Sequence, residues 1–353
     1  MERTTDTKKQ VNVKVKWRCP SNIAIVKYWG KMGNQLPRNS SLSLTLANSY
    51  TEVEAELSPK SSDDLVELDY YFEGKLNDKF GKRVALFLED NLDQFPFLEE
   101  YAVSMRSINS FPHSAGIASS ASSFGAIALA MLDLRYTLEG NEIDQKFYHQ
   151  ASYLARLGSG SACRSLFPSF ALWGENTEIE GSSNEFAIPI SDVHPVFQNM
   201  HDAILIVEDK PKKISSTIGH SLMNNHPFAE KRFEQANGRT AHLVEVLKEG
   251  DIESFIQLCE SEALTLHAMM MTSVDYYILM KPATLTIIEK LMQFRMENVV
   301  PVSFTLDAGP NIHVLYPEKY KEDVEEFIQT ELKDTYKNVI FDHEGQGPQK
   351  LNA

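Results

Sequence analysis

The sequence predicts an α+β protein built from two lobes. Segments with the alternation of half-buried strands stand beside segments with the apolar spacing of helices, without the regular strand-helix-strand order of a doubly wound parallel sheet. The character of the 353-residue chain changes near residue 200, where the buried-strand pattern HDAILIVED begins. We therefore expect one lobe over residues 1–200 and a second over residues 201–353.

The first region alternates between strand and helix patterns. Strands are predicted in VNVKVKWRC, SLSLTLANSYTEVEAEL, SMRSINSF and FALWGE, and helices in residues 82–95, in FGAIALAMLDL from Ser123 and in DQKFYHQASYLARLG up to Gly158. In the second region the pattern predicts a strand in HDAILIVED and helical stretches over 227–270 and 281–296. Two strands follow around an Asp-Ala-Gly-Pro turn, in VVPVSFTLDAG and NIHVLYPE, and EKYKEDVEEFIQTELKD predicts an amphipathic terminal helix.

Charge and cysteine content exclude several classes of protein. The formal net charge of −15 gives no overall basic field, so we expect no nucleic-acid partner and no attraction to an anionic membrane. Cys19, Cys163 and Cys259 have neither CxxC spacing nor the density of a disulfide scaffold. No apolar run approaches the ~18 residues of a membrane span, and the N-terminus has no signal-peptide core. These features predict a cytoplasmic enzyme or binding protein.

The stretch Pro112 to Gly125, PHSAGIASSASSFG, predicts a phosphate-binding loop at the start of a helix. Gly116 allows close approach of an anion, and the free N–H groups and positive dipole end of the helix would attract phosphate. Small residues leave room for phosphate oxygens here: Ala118, Ser119, Ser120 and Ala121. The alternative is a Ser/Ala-rich N-cap on a buried helix. The stretch matches neither a Walker loop nor the GxGxxG fingerprint.

Three further segments combine small residues with cations. SNIAIVKYWGK ends a strand pattern in Lys27, Tyr28 and Lys31, which suit an anionic ligand or ordinary surface packing. RLGSGSACRS offers hydroxyls and the guanidinium fork of Arg164, or else a helix C-cap with a structural ion pair. PKKISSTIGH places two lysines before a Ser/Thr run, for which a solvated basic loop is the commoner explanation.

A carboxylate at the end of a strand is the last candidate. In FTLDAGPN, Asp307 ends an apolar run at a sharp turn, where it is either a turn former or a group that receives or organises a hydroxyl proton beside a transferring phosphoryl group. The ten histidines show no metal-ligand spacing, and GSGSAC lacks the nucleophile elbow of a serine hydrolase.

Taken together, these segments make the chain resemble the diphosphomevalonate decarboxylase family of the GHMP kinase superfamily. The resemblance extends from about residue 17 to 315 and rests on six segments in the family's order: SNIAIVKYWGK, NSSLSLTL, PHSAGIASSASSFGA, LARLGSGSACRS, KKISSTIG and FTLDAGPN. It implies a GHMP kinase-like fold with a ribosomal S5-like N-terminal lobe, a ferredoxin-like C-terminal lobe, a cleft between them and a homodimer. It also implies a carboxy-lyase that uses ATP and Mg²⁺ to phosphorylate the 3-hydroxyl of mevalonate diphosphate and then expels phosphate and CO₂.

The resemblance also implies roles for individual residues. Asp307, Lys27 and Arg164 match the catalytic positions, with Asp307 as base or orienter of the 3-hydroxyl. Matches to the substrate-binding positions are Asn22, Tyr28, Lys31, Ser159 and Ser161. Matches to the ATP-binding positions are Gly116, Ala118, Ser119, Ser120 and Ala121. The magnesium ion would be held mainly through ATP, with its protein ligands left open.

Two departures from the family pattern concern the nucleotide loop and the substrate end. The loop 32–38, MGNQLPR, is shorter and less charged than the family's, and His220 stands where the family commonly has Met. We expect an added cation at His220 to favour or replace a diphosphate contact. Two alternatives stay open: a phosphomevalonate decarboxylase acting on the monophosphate, and a noncatalytic GHMP-like binding protein.

Overall fold

The computed structural model describes residues 13–112, 119–209 and 216–353. Fourteen strands occur within these ranges: β1 (Lys14–Val26), β2 (Lys31–Met32), β3 (Leu36–Pro37), β4 (Ser41–Pro59), β5 (Leu68–Phe72), β6 (Lys75–Leu76), β7 (Tyr101–Asn109), β8 (Phe170–Trp173), β9 (Ala187–Pro189), β10 (His201–Ile206), β11 (Ser303–Thr305), β12 (Ile312–Tyr316), β13 (Asn338–His343) and β14 (Gln349–Leu351). The same ranges contain eight α-helices: α1 (Asp78–Glu89), α2 (Ser119–Glu139), α3 (Gln145–Gly158), α4 (Ser216–Ser221), α5 (Ala229–Glu249), α6 (Ile252–Met271), α7 (Pro282–Asn298) and α8 (Lys321–Glu331).

Each lobe is built on its own sheet. The first sheet has the order β14-β1-β4-β7-β5-β6, with β8 paired to β4 and β9 to β8, and only β5 and β7 run parallel. The second sheet has the antiparallel order β11-β12-β10-β13. A short hairpin of β2 and β3 occupies the loop 32–38. This mixture of mostly antiparallel strands and helices confirms the predicted α+β class and excludes a doubly wound sheet.

Several predicted elements have different bounds in the structure, and some strands were not predicted. The helix expected over 82–95 is α1, which ends at Glu89, and the stretch 227–270 is divided between α5 and α6 at Gly250, whose φ is +81°. The amphipathic helix α8 is not terminal, because β13 and β14 follow it. Strand β14 pairs with β1, so the end of the chain returns to the first sheet. The boundary near residue 200 stays a prediction.

A shared apolar core joins the two lobes. Residues of β1 and β4, including Ile23 and Leu44, pack in one buried cluster with Ile204 of β10 and with Leu243 and Leu258 of α5 and α6. Burial of this apolar surface holds β1 and β4 of the first sheet against β10, α5 and α6. Helix α6 also contacts β11, so one helix lies against both β1 and β11. None of the helices in the described ranges has both the length and the apolar character needed to cross a membrane.

Helix α2 packs against β1 so closely that a glycine is required at the contact. A Cβ built at Gly125 would lie 2.4 Å from Sγ of Cys19, and Cys19 is fully buried. Neither neighbour can retreat, because the core around them is densely packed. By contrast, Gly238 in α5 has nothing within 4 Å of a built Cβ.

We predict that Gly125→Ala lowers the free energy of unfolding by roughly 1–3 kcal/mol through overpacking. The matched helical variant Gly238→Ala should instead raise it by up to about 1 kcal/mol, since alanine favours the helix. Urea unfolding of both variants checks this. In a Cys19→Ala background the cost of Gly125→Ala should shrink. Equal stability of the two single variants would contradict the overlap.

Candidate active site

The ends of two strands from different lobes bring a lysine and a carboxylate together. Lys27 directly follows β1, and Asp307 follows β11 after one intervening residue. Nζ of Lys27 lies 3.4 Å from Oδ1 of Asp307 and also donates to the carbonyl of Ala24 at 2.6 Å. The Lys27 side chain is only 2% exposed, whereas that of Asp307 is 30% exposed. The carboxylate therefore faces open space beside a buried ammonium group.

Arg164 is a buried cation whose hydrogen-bond partners are neutral. Its guanidinium donates to the hydroxyls of Ser43 at 3.0 Å and Ser41 at 2.6 Å, and Nη2 lies 3.5 Å from Oδ1 of Asn22. Burial lowers the pKa of Arg164, while nearby groups including Asp307 oppose this shift. Among the described residues no carboxylate forms an ion pair with it. A desolvated guanidinium in this situation is stabilised by an incoming anion.

Asn22 positions this arginine. Its Nδ2 donates to Oγ of Ser165 at 2.8 Å and to the carbonyl of Ser161 at 3.2 Å, which leaves Oδ1 directed at Arg164. Asn22 and Arg164 are both buried. The contacts of Asn22 therefore connect it to Arg164 and to the segment around Ser161.

Tyr28 presents a buried hydroxyl for which the described chain offers no hydrogen-bond partner. Burial raises the pKa of this phenol, so the hydroxyl stays protonated. Its ring packs edge-on against Trp173, with centroids 4.7 Å apart. A Cβ built at Gly160 would lie 3.0 Å from the Tyr28 hydroxyl, so the backbone of the 160–166 turn approaches it closely. A buried hydroxyl without a hydrogen-bond partner among the described residues is typical of a ligand contact.

The start of α2 adjoins the turn that follows α3. Oγ of Ser120 lies 3.2 Å from Oγ of Ser159, so a predicted ATP-binding residue touches a predicted substrate-binding residue. The described part of the helix runs from Ser119 and so includes the serines that precede the apolar run, and Ser119 and Ser120 are half-buried. Ala121 is fully buried and has no polar side-chain atom. Gly116 and Ala118 lie outside the described residues.

Two cations flank this junction. Nζ of Lys31 donates to Oε1 of Gln35 at 3.1 Å, and burial together with the nearby charge of Arg83 lowers the pKa of Lys31. Arg83, on α1, donates to the carbonyl of Gly158 at 3.0 Å and lies over the Phe124 ring at 4.6 Å. The sequence pattern around Arg83 is that of an ordinary amphipathic helix, so it offered no signal for this residue.

The expectation of an added cation at His220 is wrong. Burial, with a smaller contribution from Lys31, lowers the pKa of His220 to about 3, so the ring is neutral at physiological pH. Its Nδ1 accepts the backbone N–H of Gly30 at 3.0 Å, and its ring packs on Tyr28 and Trp29. His220 thus supports the aromatic side of the site and contributes no charge.

Two buried residues of α6 hold the backbone of the site and were also missed. Oε2 of Glu262 accepts the backbone N–H of Lys27 at 3.0 Å. Nε2 of His267 lies 3.2 Å from the backbone carbonyl of Asp307. Neither has a motif around it, because both lie in an apolar helical pattern.

The donors at this junction suit ATP and magnesium. Hydroxyls and the free N–H groups of a first helical turn match phosphate oxygens in chemistry and charge. Among the described residues there is no cluster of three or more His, Cys, Asp or Glu that would hold a metal ion by itself. Magnesium keeps several waters and is commonly held through substrate phosphates, so this donor set fits it.

We predict that stability falls steeply on acidification below pH 6.5. Burial lowers the pKa of His267 to about 4 and that of His220 to about 3, whereas histidine in the unfolded chain titrates near 6.5. Between pH 6.5 and about 4 the unfolded chain therefore binds protons that the folded protein does not. Each histidine lowers the free energy of unfolding by up to about 1.4 kcal/mol per pH unit.

Urea unfolding across this pH range tests the prediction. In His220→Gln one titration is removed, so the slope should become shallower, with pH 8 as the reference for each protein. An unchanged slope would mean that His220 is protonated in the folded state.

Comparison with known proteins assigns the family. Residues 19–185 match the model of the diphosphomevalonate decarboxylase-like N-terminal domain, and residues 203–351 match that of the mevalonate 5-diphosphate decarboxylase C-terminal domain. The diphosphomevalonate decarboxylase of Ganoderma lucidum is 30% identical over 328 residues, covering 88% of this chain and 80% of the relative. That of Debaryomyces hansenii is 31% identical over 322 residues, covering 86% and 80%.

Solved structures give the same result. The mevalonate diphosphate decarboxylase from Enterococcus faecalis has a TM-score of 0.81 and 28% identity, with 97% of this chain and 100% of that chain covered. A complex with MVAPP, AMPPCP and magnesium has the same score, identity and coverage. The matches extend over both lobes and include the strand ends that carry Lys27 and Asp307. The chain therefore belongs to the diphosphomevalonate decarboxylase family and has its GHMP kinase-like fold.

Proposed function

We propose that the protein catalyses the ATP-dependent decarboxylation of mevalonate 5-diphosphate to isopentenyl diphosphate, ADP, phosphate and CO₂. The observation that carries the proposal is the arrangement of Lys27, Asp307 and Arg164. A partly exposed carboxylate touches a buried ammonium group, and the hydrogen-bond partners of a buried guanidinium nearby are neutral throughout the part of the chain that the structure describes. This set suits a ligand that carries both a hydroxyl and a carboxylate.

In the first step Asp307 receives the 3-hydroxyl. Its carboxylate accepts the hydroxyl hydrogen bond and directs the oxygen toward the phosphoryl group that ATP supplies when bound with magnesium. Phosphoryl transfer with a loose transition state needs little basicity, so orientation is the main contribution of Asp307. The ammonium group of Lys27, 3.4 Å away, limits the movement of the carboxylate.

In the second step Arg164 and Lys27 interact with the negatively charged groups of the phosphorylated substrate. The C–O bond to the new phosphate and the C–C bond to the carboxylate break, and the electron pair of the C–C bond forms the double bond. The fork of Arg164 orients the substrate carboxylate until it leaves as CO₂, and Lys27 stabilises the negative charge on the departing phosphate. Both cations are buried, which strengthens these interactions.

The remaining residues would bind the two phosphate-bearing ends. We assign Tyr28, Lys31, Ser159 and Ser161 to the substrate diphosphate, and Ser119 and Ser120 to ATP phosphates. The 3.2 Å contact between Ser120 and Ser159 supports adjacent phosphate sites. Arg83 adds a cation at this junction. Asn22 acts by holding Arg164.

The division into lobes, the oligomeric state and the cellular location belong to the same proposal. The lobes divide near residue 200, the protein is a homodimer and it works in the cytoplasm. The six segments shared with the family support these assignments.

We expect MgATP and mevalonate diphosphate to give ADP, phosphate and CO₂ in equal amounts. Mevalonate and its 5-phosphate, assayed side by side, should show a lower kcat/KM, because they lack part of the charge that Lys31 and Arg83 would meet. Use of ATP without CO₂ release would reject decarboxylation. A higher kcat/KM with the monophosphate would replace the proposed substrate.

We expect Asp307→Asn to abolish nearly all turnover while the substrate still binds, since the amide cannot accept and organise the hydroxyl proton as a carboxylate does. Single-turnover CO₂ release and calorimetric binding separate the two effects. Asp192→Asn, which removes a carboxylate 3.7 Å from Nζ of Lys248, is the control and should keep wild-type turnover. Wild-type turnover in Asp307→Asn would remove Asp307 from the mechanism.

A further inference from the structure

Helix α6 of the C-terminal lobe reaches the end of β1 through a buried carboxylate. Glu262 is fully buried, and its Oε2 accepts the backbone N–H of Lys27 at 3.0 Å. The backbone oxygen of Lys27 is also occupied, by Nδ2 of Asn39 at 3.0 Å. The peptide of Lys27 is therefore held from both sides, and one of the two holders comes from the other lobe.

Two arginines fix Glu262 in this position. Arg232 donates to both of its oxygens, at 2.9 and 2.6 Å, and Nη1 of Arg239 donates to Oε1 at 2.7 Å. Burial alone would raise the pKa of Glu262, but the charges and hydrogen bonds of the two arginines reverse the shift, so the net pKa is lowered and the carboxylate is ionised. A carboxylate with four donors around it has a single stable orientation.

The same helix, α6, also supports Asp307, through the side chain of His267. Nε2 of His267 lies 3.2 Å from the backbone oxygen of Asp307. A carbonyl oxygen only accepts, so Nε2 carries the proton and donates it. His267 is 1% exposed and Asp307 lies in the turn after β11, which makes this contact a fixed support for the turn.

We propose that Glu262 and His267 are positioning residues that together set the geometry of Lys27 relative to Asp307. Glu262 acts on the peptide of Lys27 and His267 on the peptide of Asp307. Because both side chains extend from one helix, α6 serves as a common reference for two groups that belong to different lobes. The inference rests on the proposed function.

The distance between the two reacting groups is the quantity that this arrangement controls. Misplacement of a reacting group by about 1 Å can lower the rate on the order of 10²-fold. Loss of either support should therefore lower kcat. The KM values should change little, because among the described residues neither Glu262 nor His267 contacts the residues assigned to the substrate diphosphate or to the ATP phosphates.

Two substitutions of Glu262 separate positioning from stability. Glu262→Asp keeps the negative charge, and the flexible arginine side chains can move to stay in contact with it. The substitution also shortens the side chain by one C–C bond, which moves the oxygen about 1.5 Å away from the Lys27 N–H. Glu262→Gln keeps the length and an oxygen acceptor, but loses the charge between Arg232 and Arg239. We expect Glu262→Asp to lower kcat at least tenfold with KM within twofold of wild type. Glu262→Gln should keep kcat within about threefold and have the lower Tm.

Glu52→Asp is the matched control. Glu52 is likewise a buried carboxylate between two cations, with Arg18 donating to its Oε1 at 3.1 and 2.7 Å and Nζ of Lys16 lying 2.9 Å from its Oε2, and none of these contacts involves Lys27 or Asp307. Its shortening should leave kcat at the wild-type value, whatever it does to Tm. All proteins are assayed well below their Tm, so that the folded fraction does not enter kcat.

His267 gives an independent test if Glu262→Asp fails to fold. His267→Leu removes the N–H donor and should lower kcat at least tenfold, whereas His267→Gln supplies an amide donor and should restore most of it. His226→Leu removes a comparable ring contact, at 3.1 Å from the carbonyl of Met269, and should keep wild-type kcat.

The wild-type assay distinguishes failure of the two proposals. If wild-type protein releases no CO₂ from mevalonate diphosphate, the proposed function fails. If wild type turns over while Glu262→Asp and His267→Leu keep its kcat, the positioning role is wrong and the function stands. A larger kcat loss in Glu262→Gln than in Glu262→Asp would show that the charge of Glu262, and not the position of its oxygen, controls kcat, and would also overturn the inference.

Discussion

The contact between Lys27 and Asp307 depends on the packing of two lobes that are far apart in the sequence. The two residues are separated by 280 positions, yet Nζ and Oδ1 lie 3.4 Å apart. The apolar cluster that includes Ile23, Leu44 and Ile204 packs β1 against α6, and α6 also contacts β11. Hydrogen bonds from α6 then fix the peptides that carry the two side chains. Apolar burial therefore brings the two lobes together, and directional hydrogen bonds set the positions of Lys27 and Asp307 relative to each other.

Several polar and charged groups of the site are removed from water. Lys27 and Arg164 are buried, the Tyr28 hydroxyl is buried with no hydrogen-bond partner in the described ranges, and His220 is held neutral. Burying such groups costs free energy that the apolar cores offset elsewhere. The consequence is a region in which charge is poorly screened by water. An anionic ligand is therefore attracted strongly, and charge that develops during a reaction is stabilised more than it would be in solution.

Elements with strong local patterns were predicted well. The alternation in the first strands and the amphipathic spacing that ends at Gly158 are visible in the structure as β1, β4 and α3. Weak or conflicting patterns led to errors. Helix α2 includes Ser119, Ser120, Ser122 and Ser123, because serine tolerates helical geometry, although a Ser-rich stretch suggests a cap. Strands β13 and β14 are short, and their pairing partners lie far away in the chain.

Ordered motifs and periodicity are properties of local sequence, so they were enough to predict the fold class and the family and to nominate Lys27, Arg164 and Asp307 as candidate catalytic residues. Which groups meet depends on how the chain folds. The tertiary structure placed Ser120 against Ser159, gave Arg164 neutral partners and made His220 an acceptor with no charge. It also revealed Glu262 and His267, whose roles follow from burial and from contacts over long sequence separations. A helical pattern records that a residue faces the core, but the partner that it meets there is set by packing.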